Sequence, residues 1–186
     1  MSGFELAQLN IARARAPLDE PVMDGFVSRL AEINALGEAS PGFVWRLTDA
    51  SGGDATGIRA YDDPQIIVNL TVWAGIDELF AFAYRTRHVE LFRARRDWFV
   101  PLGSPSLVLW WVPTGHRPTI AEARGRLDHL AAHGPTAHAF TLRARFDADG
   151  VAAPRPAPEP GMEPSPGSSP GPSPEASPER AAGAPS

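Results

Sequence analysis

Neither cysteine nor lysine occurs in the 186 residues. Without Cys there is no disulfide, no thiolate metal site and no Cys nucleophile. Without Lys there is no Schiff base, no Walker-type phosphate grip and no Ser-Lys dyad. All 17 cationic side chains are Arg. No apolar run approaches the roughly 18 residues that a membrane span needs. Met1 to Asn10 holds no positive stretch followed by an apolar region, so no secretory signal is read and a cytoplasmic protein is expected. A Gly-x-Ser-x-Gly elbow and a Gly-rich phosphate loop are both missing from the sequence, which leaves an esterase nucleophile and a nucleotide cradle without support.

What is present is unevenly spread. Residues 151–186 hold 11 of the 20 prolines and none of the aromatics. Such a stretch buries too little apolar surface to offset the entropy of ordering it. The expected organisation is one folded domain over 1–149 and a disordered Pro/Ser/Gly/Ala-rich tail over 150–186. The formal net charge is −5, and the tail's two Arg and four Glu account for −2 of it. A mildly acidic domain has no overall attraction for nucleic acid. The local run of Arg85, Arg87, Arg93, Arg95 and Arg96 reads as a solvated helix face.

Periodicity orders the elements. Phe4 to Ile11 alternates apolar and polar, as a strand with one buried face does. Asp19-Glu20-Pro21 reads as a helix start, with Val22, Phe26, Leu30, Ile33 and Leu36 as the apolar stripe behind it. Ser40-Pro41-Gly42 breaks the chain before a short strand, Phe43 to Thr48. Ala50 to Thr56 reads as a loop, and Asp62-Asp63 before Pro64 as a turn. Ile66 to Trp73, rich in β-branched residues, is the strongest strand in the sequence. Helices are expected from Gly75 to Tyr84 and from His88 to Phe99. Leu107 to Val112 is a further strand. Thr119 to Glu122 is a capping box that opens a helix to about Ala132, and Gly134-Pro135 ends it. Phe140 to Phe146 reads as a last strand.

The order β-α-β-β-α-β is the split β-α-β pattern of an α+β, ferredoxin-like fold with an antiparallel sheet. In this layout the helices cover one sheet face. Ile66, Val68, Leu70 and Val72 are wholly apolar and are expected to meet them. The opposite face would carry Ile67, Asn69, Thr71 and Trp73, with Leu6, Gln8 and Asn10. Val44, Arg46 and Thr48 join it if the short strand alternates. Trp110 and Trp111 lie one on each face, in an order the alternation leaves open. A face that mixes Trp, Asn, Gln, Thr and Arg suits closure by a second sheet with a polar-dotted cavity inside. That predicts a homodimer and a small-ligand site.

From Val68 to His88 a strand ends in Trp73, a short helix carries Phe80, and Tyr84-Arg-Thr-Arg-His88 restarts a helix. This resembles the dimeric α/β-barrel superfamily, which includes small cofactor-independent monooxygenases and small haem-degrading monooxygenases. From about Leu6 to Thr141 the chain is more closely similar to a bacterial family of unknown function in that superfamily. The carrying segments are AQLNIAR at Ala7–Arg13, GFVWRL at Gly42–Leu47, VNLTVW at Val68–Trp73, RRDWFVPL at Arg95–Leu102 and LVLWWVPTGHRPT at Leu107–Thr119.

The resemblance implies a dimeric barrel with a small-molecule pocket, and a monooxygenase on an aromatic or isoprenoid-like substrate if the chain is an enzyme. Asn69, Trp73 and Tyr84 would then hold the substrate as an enolate or phenolate. His88 matches by position the residue that ligates haem iron in the haem-degrading relatives. Haem is therefore the candidate cofactor, with Asn69, Tyr84 and His88 as candidate catalytic residues. Gln8, Asn10, Arg46, Thr71, Trp73, Trp110 and His116 are the candidate substrate-binding residues, His116 from a loop at the barrel mouth. His129 and His133 are spaced i, i+4, but no third ligand is obvious beside them and no metal site is expected. A non-enzymatic ligand-sensing or interaction dimer is the remaining alternative.

Overall fold

The computed structural model describes residues 3–50, 52–85 and 96–153, with the side chains of 84 and 85 excepted. Internal contacts define Met1–Arg155 as one compact unit. The expected helix from His88 falls largely on 86–95, outside the described residues. Its last residue, Phe99, belongs instead to a two-residue strand.

Strand β1 (Phe4–Ala14) leads through a 3-10 turn (Pro21–Met23) to α1 (Asp24–Glu38). Then come β2 (Phe43–Arg46), β3 (Ile66–Trp73), α2 (Ile76–Arg85), β4 (Phe99–Val100), β5 (Leu107–Pro113) and α3 (Ile120–His133). Two short strands close the described chain, β6 (Arg145–Phe146) and β7 (Ala152–Ala153). β1 is central and pairs antiparallel with β3, β5 and β4, while β2 flanks β3. This is the ferredoxin-like, α+β arrangement that the element order predicts.

Alternation along the strands sorts side chains onto two faces. The first face gathers Ala7, Leu9, Ile11, Val68, Leu70, Val72, Val108, Trp110 and Val112. It is sealed by Ala123, Leu127 and Leu130 of α3 and by Ala55, Ile58, Ala60 and Tyr61 from the segment after β2. The second face carries Leu6, Trp73 and Leu109. It is covered by Ile76, Leu79 and Phe82 of α2 and by Phe140, Leu142 and Phe146 of the C-terminal segment. Trp110 faces α3 and Trp111 the opposite layer.

Several expectations are corrected. The face expected to await a second sheet is covered by the chain's own helices, because α3 supplies a third layer that serves the other face. Phe43 and Val44 do not simply alternate. The register shifts between Phe43 and Trp45, so Phe43 meets Trp73 on the second face while Val44, Trp45 and Leu47 all pack toward the first. Such a bulge places two residues opposite one and is silent in a hydropathy pattern. Asp19 does not cap: the N-cap of α1 is Met23, which makes no side-chain capping bond. Val22 is exposed, and Met23 takes the buried place expected for it.

The Thr119 cap does form, with its side chain accepting from the Glu122 N–H at 3.1 Å. The reciprocal half of the box is absent, since the Glu122 carboxylate is engaged by Trp110 and His116. Phe140 makes only an isolated bridge to Leu109, so the expected last strand is reduced to β6.

Candidate functional site

Helix α1 does not lie flat on the sheet. Gly37 is its only buried residue. A Cβ built at Gly37 would lie 3.5 Å from the Phe82 ring, and one at Gly25 would lie 3.2 Å from Trp98. The helix thus rests on an aromatic ring near each end: at Gly25 a Cβ would crowd Trp98, while at Gly37 it would make an ordinary contact with Phe82. Between the two supports, Phe26, Leu30 and Ile33 stay half-buried.

Beneath that span is a cavity of about 740 Å³. Its floor is the second face of the sheet where β2 has already ended: Asn10 and Ala12 of β1, Ile67 and Asn69 of β3. Its roof is Phe26, Leu30, Ile33 and Asn34 of α1. Trp98, Phe99 and Val100 close one end. Around the open edge of β3 it reaches Asp54, Ala55 and Thr56.

Asn10 and Asn69 are direct partners across the β1–β3 ladder. Opposed side chains at that register lie within about 4.5–5.5 Å at Cβ. Asn69 is exposed and Asn10 partly so. Among the described residues, neither carboxamide makes a hydrogen bond. One pair further along the same face the situation reverses. Thr71 donates to Gln8 Oε1 at 2.7 Å, and Trp73 Nε1 donates to Thr71 Oγ1 at 2.9 Å. Trp73 is 1% exposed, stacked on Phe82 at 5.0 Å and edge-on to Phe43. The Gln8–Thr71–Trp73 chain is buried.

The structure therefore divides the expected ligand set. Asn10, Asn69 and Arg46 line the cavity. Gln8, Thr71 and Trp73 are not part of its wall and sit in the core beside α2. Trp110 is fully buried on the other face. His116 lies in the loop before α3, beyond β5, so it is not at the mouth of this cavity. Tyr84 falls in α2 with its side chain outside the described residues, and His88 lies outside them altogether. Phe26, Leu30 and Ile33 of the wall escape sequence reading because an apolar helix stripe reads as core. The one signal available was the pair of glycines in α1, at positions where alanine is the better helix former.

The described wall holds no His, Cys, Met or Tyr, the side chains that ligate haem iron, and His88, the residue matched by position to a haem ligand, lies outside the described residues.

A second polar cluster surrounds α3. Glu122 accepts from Trp110 Nε1 at 3.0 Å and pairs with His116 Nε2 at 2.8 Å. Burial pushes the Glu122 carboxyl up, but the hydrogen bonds from His116 and Trp110 and the charges of His116 and Arg126 outweigh it, so the net shift is downward. Arg126 in turn donates to His138 Nδ1 at 2.7 Å. Partial burial, then the neighbouring Arg126 and His129, lower the His138 pKa. The third imidazole that sequence spacing does not reveal is His138: its ring lies 4.7 Å from His129, which lies 4.5 Å from His133. Among the described residues no group of three His, Asp or Glu has the geometry to hold a metal ion.

Similar solved structures are distant. A protein of unknown function from Nitrosomonas europaea is 15% identical, with 64% of this chain and 97% of that one aligned and a TM-score of 0.39. A protein from Pseudomonas aeruginosa is 13% identical, with 64% and 99% aligned and a TM-score of 0.41. A proposed antibiotic biosynthesis monooxygenase from Chloroflexus aurantiacus J-10-fl is 15% identical, with 62% and 98% aligned and a TM-score of 0.36. No curated protein matches the sequence. The signature of one family does match, across residues 5–156, and the chain accordingly belongs to DUF3291, a domain of unknown function.

Proposed function

We propose that this chain binds a small molecule in the cavity beneath α1. The single observation that carries the reading is the floor of that cavity: two facing carboxamides, Asn10 and Asn69, which make no hydrogen bond among the described residues and lie beside Ala12 and Ile67. Unpaired polar groups beside apolar walls are the usual furniture of a ligand site, and about 740 Å³ falls within the roughly 300–1,000 Å³ of such pockets. Phe26, Leu30, Ile33, Ile67 and Trp98 suit an aromatic or isoprenoid-like body, and the carboxamides suit its oxygen.

The test is native mass spectrometry of protein purified from its own host, which reads subunit mass and retained ligand together. Retained small-molecule mass in the parent, lost in an Ala12→Phe variant that fills the floor, is the expected result. Equal retention in the two proteins overturns the assignment. The homodimer enters this proposal as an assembly through strand edges or helices, since both sheet faces are occupied by the chain itself.

The finer reading is a monooxygenase that needs no cofactor. Asn69 would hold a phenolate or enolate oxygen of the substrate, which then reduces O₂. Trp73 takes no part in this version. Oxygen uptake on adding a polycyclic phenol should depend on Asn69; uptake unchanged in Asn69→Ala sinks it.

A further inference from the structure

The charges on the cavity wall are one-sided. Among the described residues, Arg15, Arg29, Arg46 and Arg96 line it, against a single acid, Asp54. The chain as a whole carries −5, so this excess of cations is local.

The four arginines are not equivalent. Arg46 is answered by Glu38 at 2.6 Å and also donates to the Gly53 carbonyl at 2.8 Å. Asp54, on the same side, accepts from the Thr56 N–H at 2.8 Å and from the Thr56 hydroxyl. That end of the cavity is electrically satisfied. The other end is not. Arg15 Nε and Nη2 donate to the backbone carbonyls of Asp97 and Arg96 at 3.2 and 2.9 Å, which fixes the guanidinium but leaves its charge unanswered. Arg29 donates to the Gly25 carbonyl, and its guanidinium lies over the Trp98 ring at 5.7 Å. Arg96 is exposed, and among the described residues its side chain has no partner. Trp98 joins these groups into one corner: its carbonyl accepts the Arg15 N–H at 2.8 Å, and its ring supports Arg29. Among the described residues, no carboxylate lines the wall at this corner.

Three like charges gathered where no described wall residue is an acid raise one another's cost, and that cost falls when an anion joins them. A planar guanidinium that keeps free N–H groups is well matched to an oxyanion, which it meets with charge-assisted hydrogen bonds. We infer that the ligand of this cavity is an amphipathic acid: an apolar body lies along Phe26, Leu30 and Ile67, and its carboxylate or sulfonate-like head meets Arg15, Arg29 and Arg96. This inference rests on the cavity reading above and adds the ligand's charge and orientation to it.

A matched pair of fluorescent probes separates the two. Anilinonaphthalene sulfonate and phenylnaphthylamine share one apolar body, but only the first carries an anion. Each is titrated into the full-length protein, into an Arg29→Gln/Arg96→Gln double variant and into Ala12→Phe. Both arginines are exposed, so the double variant is expected to fold, and its melting temperature checks this.

In the parent the sulfonate should bind about tenfold more tightly than the neutral probe. The double variant should bring the two to within about twofold by weakening the sulfonate alone. Added salt should weaken the sulfonate and spare the neutral probe. Equal binding of both probes to the parent, with both lost in Ala12→Phe, overturns the acid inference and leaves the cavity reading standing. A preference that survives the double variant overturns the assignment to this corner. Binding of both probes that Ala12→Phe leaves unchanged overturns the cavity reading, and this inference with it.

Discussion

The two faces of the central sheet are made by the same strands, yet they end differently. The first is apolar at every step along β3 (Val68, Leu70, Val72) and is sealed by α3 and the segment after β2. The second alternates its own character from one end to the other. Leu6, Trp73 and Leu109 lie under α2, Gln8 and Thr71 satisfy each other, and Asn10 and Asn69 open into the cavity under α1. The difference is made by the helices above. α3 and α2 offer Leu, Ala and Phe close to the strands, whereas α1 is held off by the Trp98 and Phe82 rings. A polar residue under a close-packed helix must find its partner within the protein; under a raised helix it is left for something else.

The strongest test of this contrast is Trp73→Ala. The ring is 1% exposed between Phe43, Leu79 and Phe82. Removing it should cost about 3–5 kcal/mol through lost burial and a residual cavity, read by urea or thermal unfolding. A small loss of stability with abolished ligand binding would instead return Trp73 to the ligand site and break the division drawn here.

Next in size is Thr71→Val, which keeps the shape and deletes a hydroxyl that both donates and accepts. Gln8 Oε1 and Trp73 Nε1 are then left unpaired in a buried place. About 1–3 kcal/mol should be lost. A neutral result would mean that water reaches this pair and that the buried end of the face is shorter than drawn.

The same change of polarity two residues back should do almost nothing to stability. Asn69→Ala removes a carboxamide with no partner among the described residues at an exposed position, so the expected change is within about 0.5 kcal/mol. Binding of an oxygen-bearing aromatic should nonetheless weaken. The pair Thr71→Val and Asn69→Ala therefore inverts the two readouts, and a variant set in which both lose stability equally would erase the difference between the two ends.

How much of this could be read from the sequence differs by element, for physical reasons. β3 was legible to the residue, Ile66–Trp73, because β-branched residues and clean alternation leave no competing period. The Thr119 cap was legible because a capping side chain acts on its own neighbours. Which helix covers which face was not. An apolar set such as Val68, Leu70 and Val72 requires a cover but does not name it, and the cover proved to be α3. The standing-off of α1 was invisible for a related reason. Phe26, Leu30 and Ile33 have the same spacing whether a helix touches the sheet or spans a gap. Asn10 and Asn69 were found because polar residues on a buried face are costly wherever the cover is close. Their neighbours Gln8 and Thr71 gave the same signal and answered it locally.

The smallest effect concerns the outer layer of the sealed face, where Glu122 ties α3 to Trp110 beneath it. Its folded-state pKa lies below the ordinary value of 4.5, the contacts with His116, Trp110 and Arg126 outweighing the opposing effect of burial. A depressed carboxylate contributes stability that is present above the unfolded pKa and disappears as pH falls through the folded one. His138 acts in the same direction at higher pH. Its pKa is lowered from 6.5, by burial first and then by Arg126 and His129, so the folded chain binds that proton less readily than the unfolded one. Stability should therefore decline in two steps on acidification, the first beginning near pH 6.5 and the second below pH 4.5. Glu122→Gln keeps the shape and removes the charge, so it should lie below the parent in melting temperature at neutral pH, with the gap closing below pH 4.5. His138→Ala should flatten only the first step. A gap between parent and Glu122→Gln that stays constant down through the acid range would show that the carboxylate's charge is not what fastens α3. The hold of α3 on the first face would then rest on the packing of Ala123, Leu127 and Leu130.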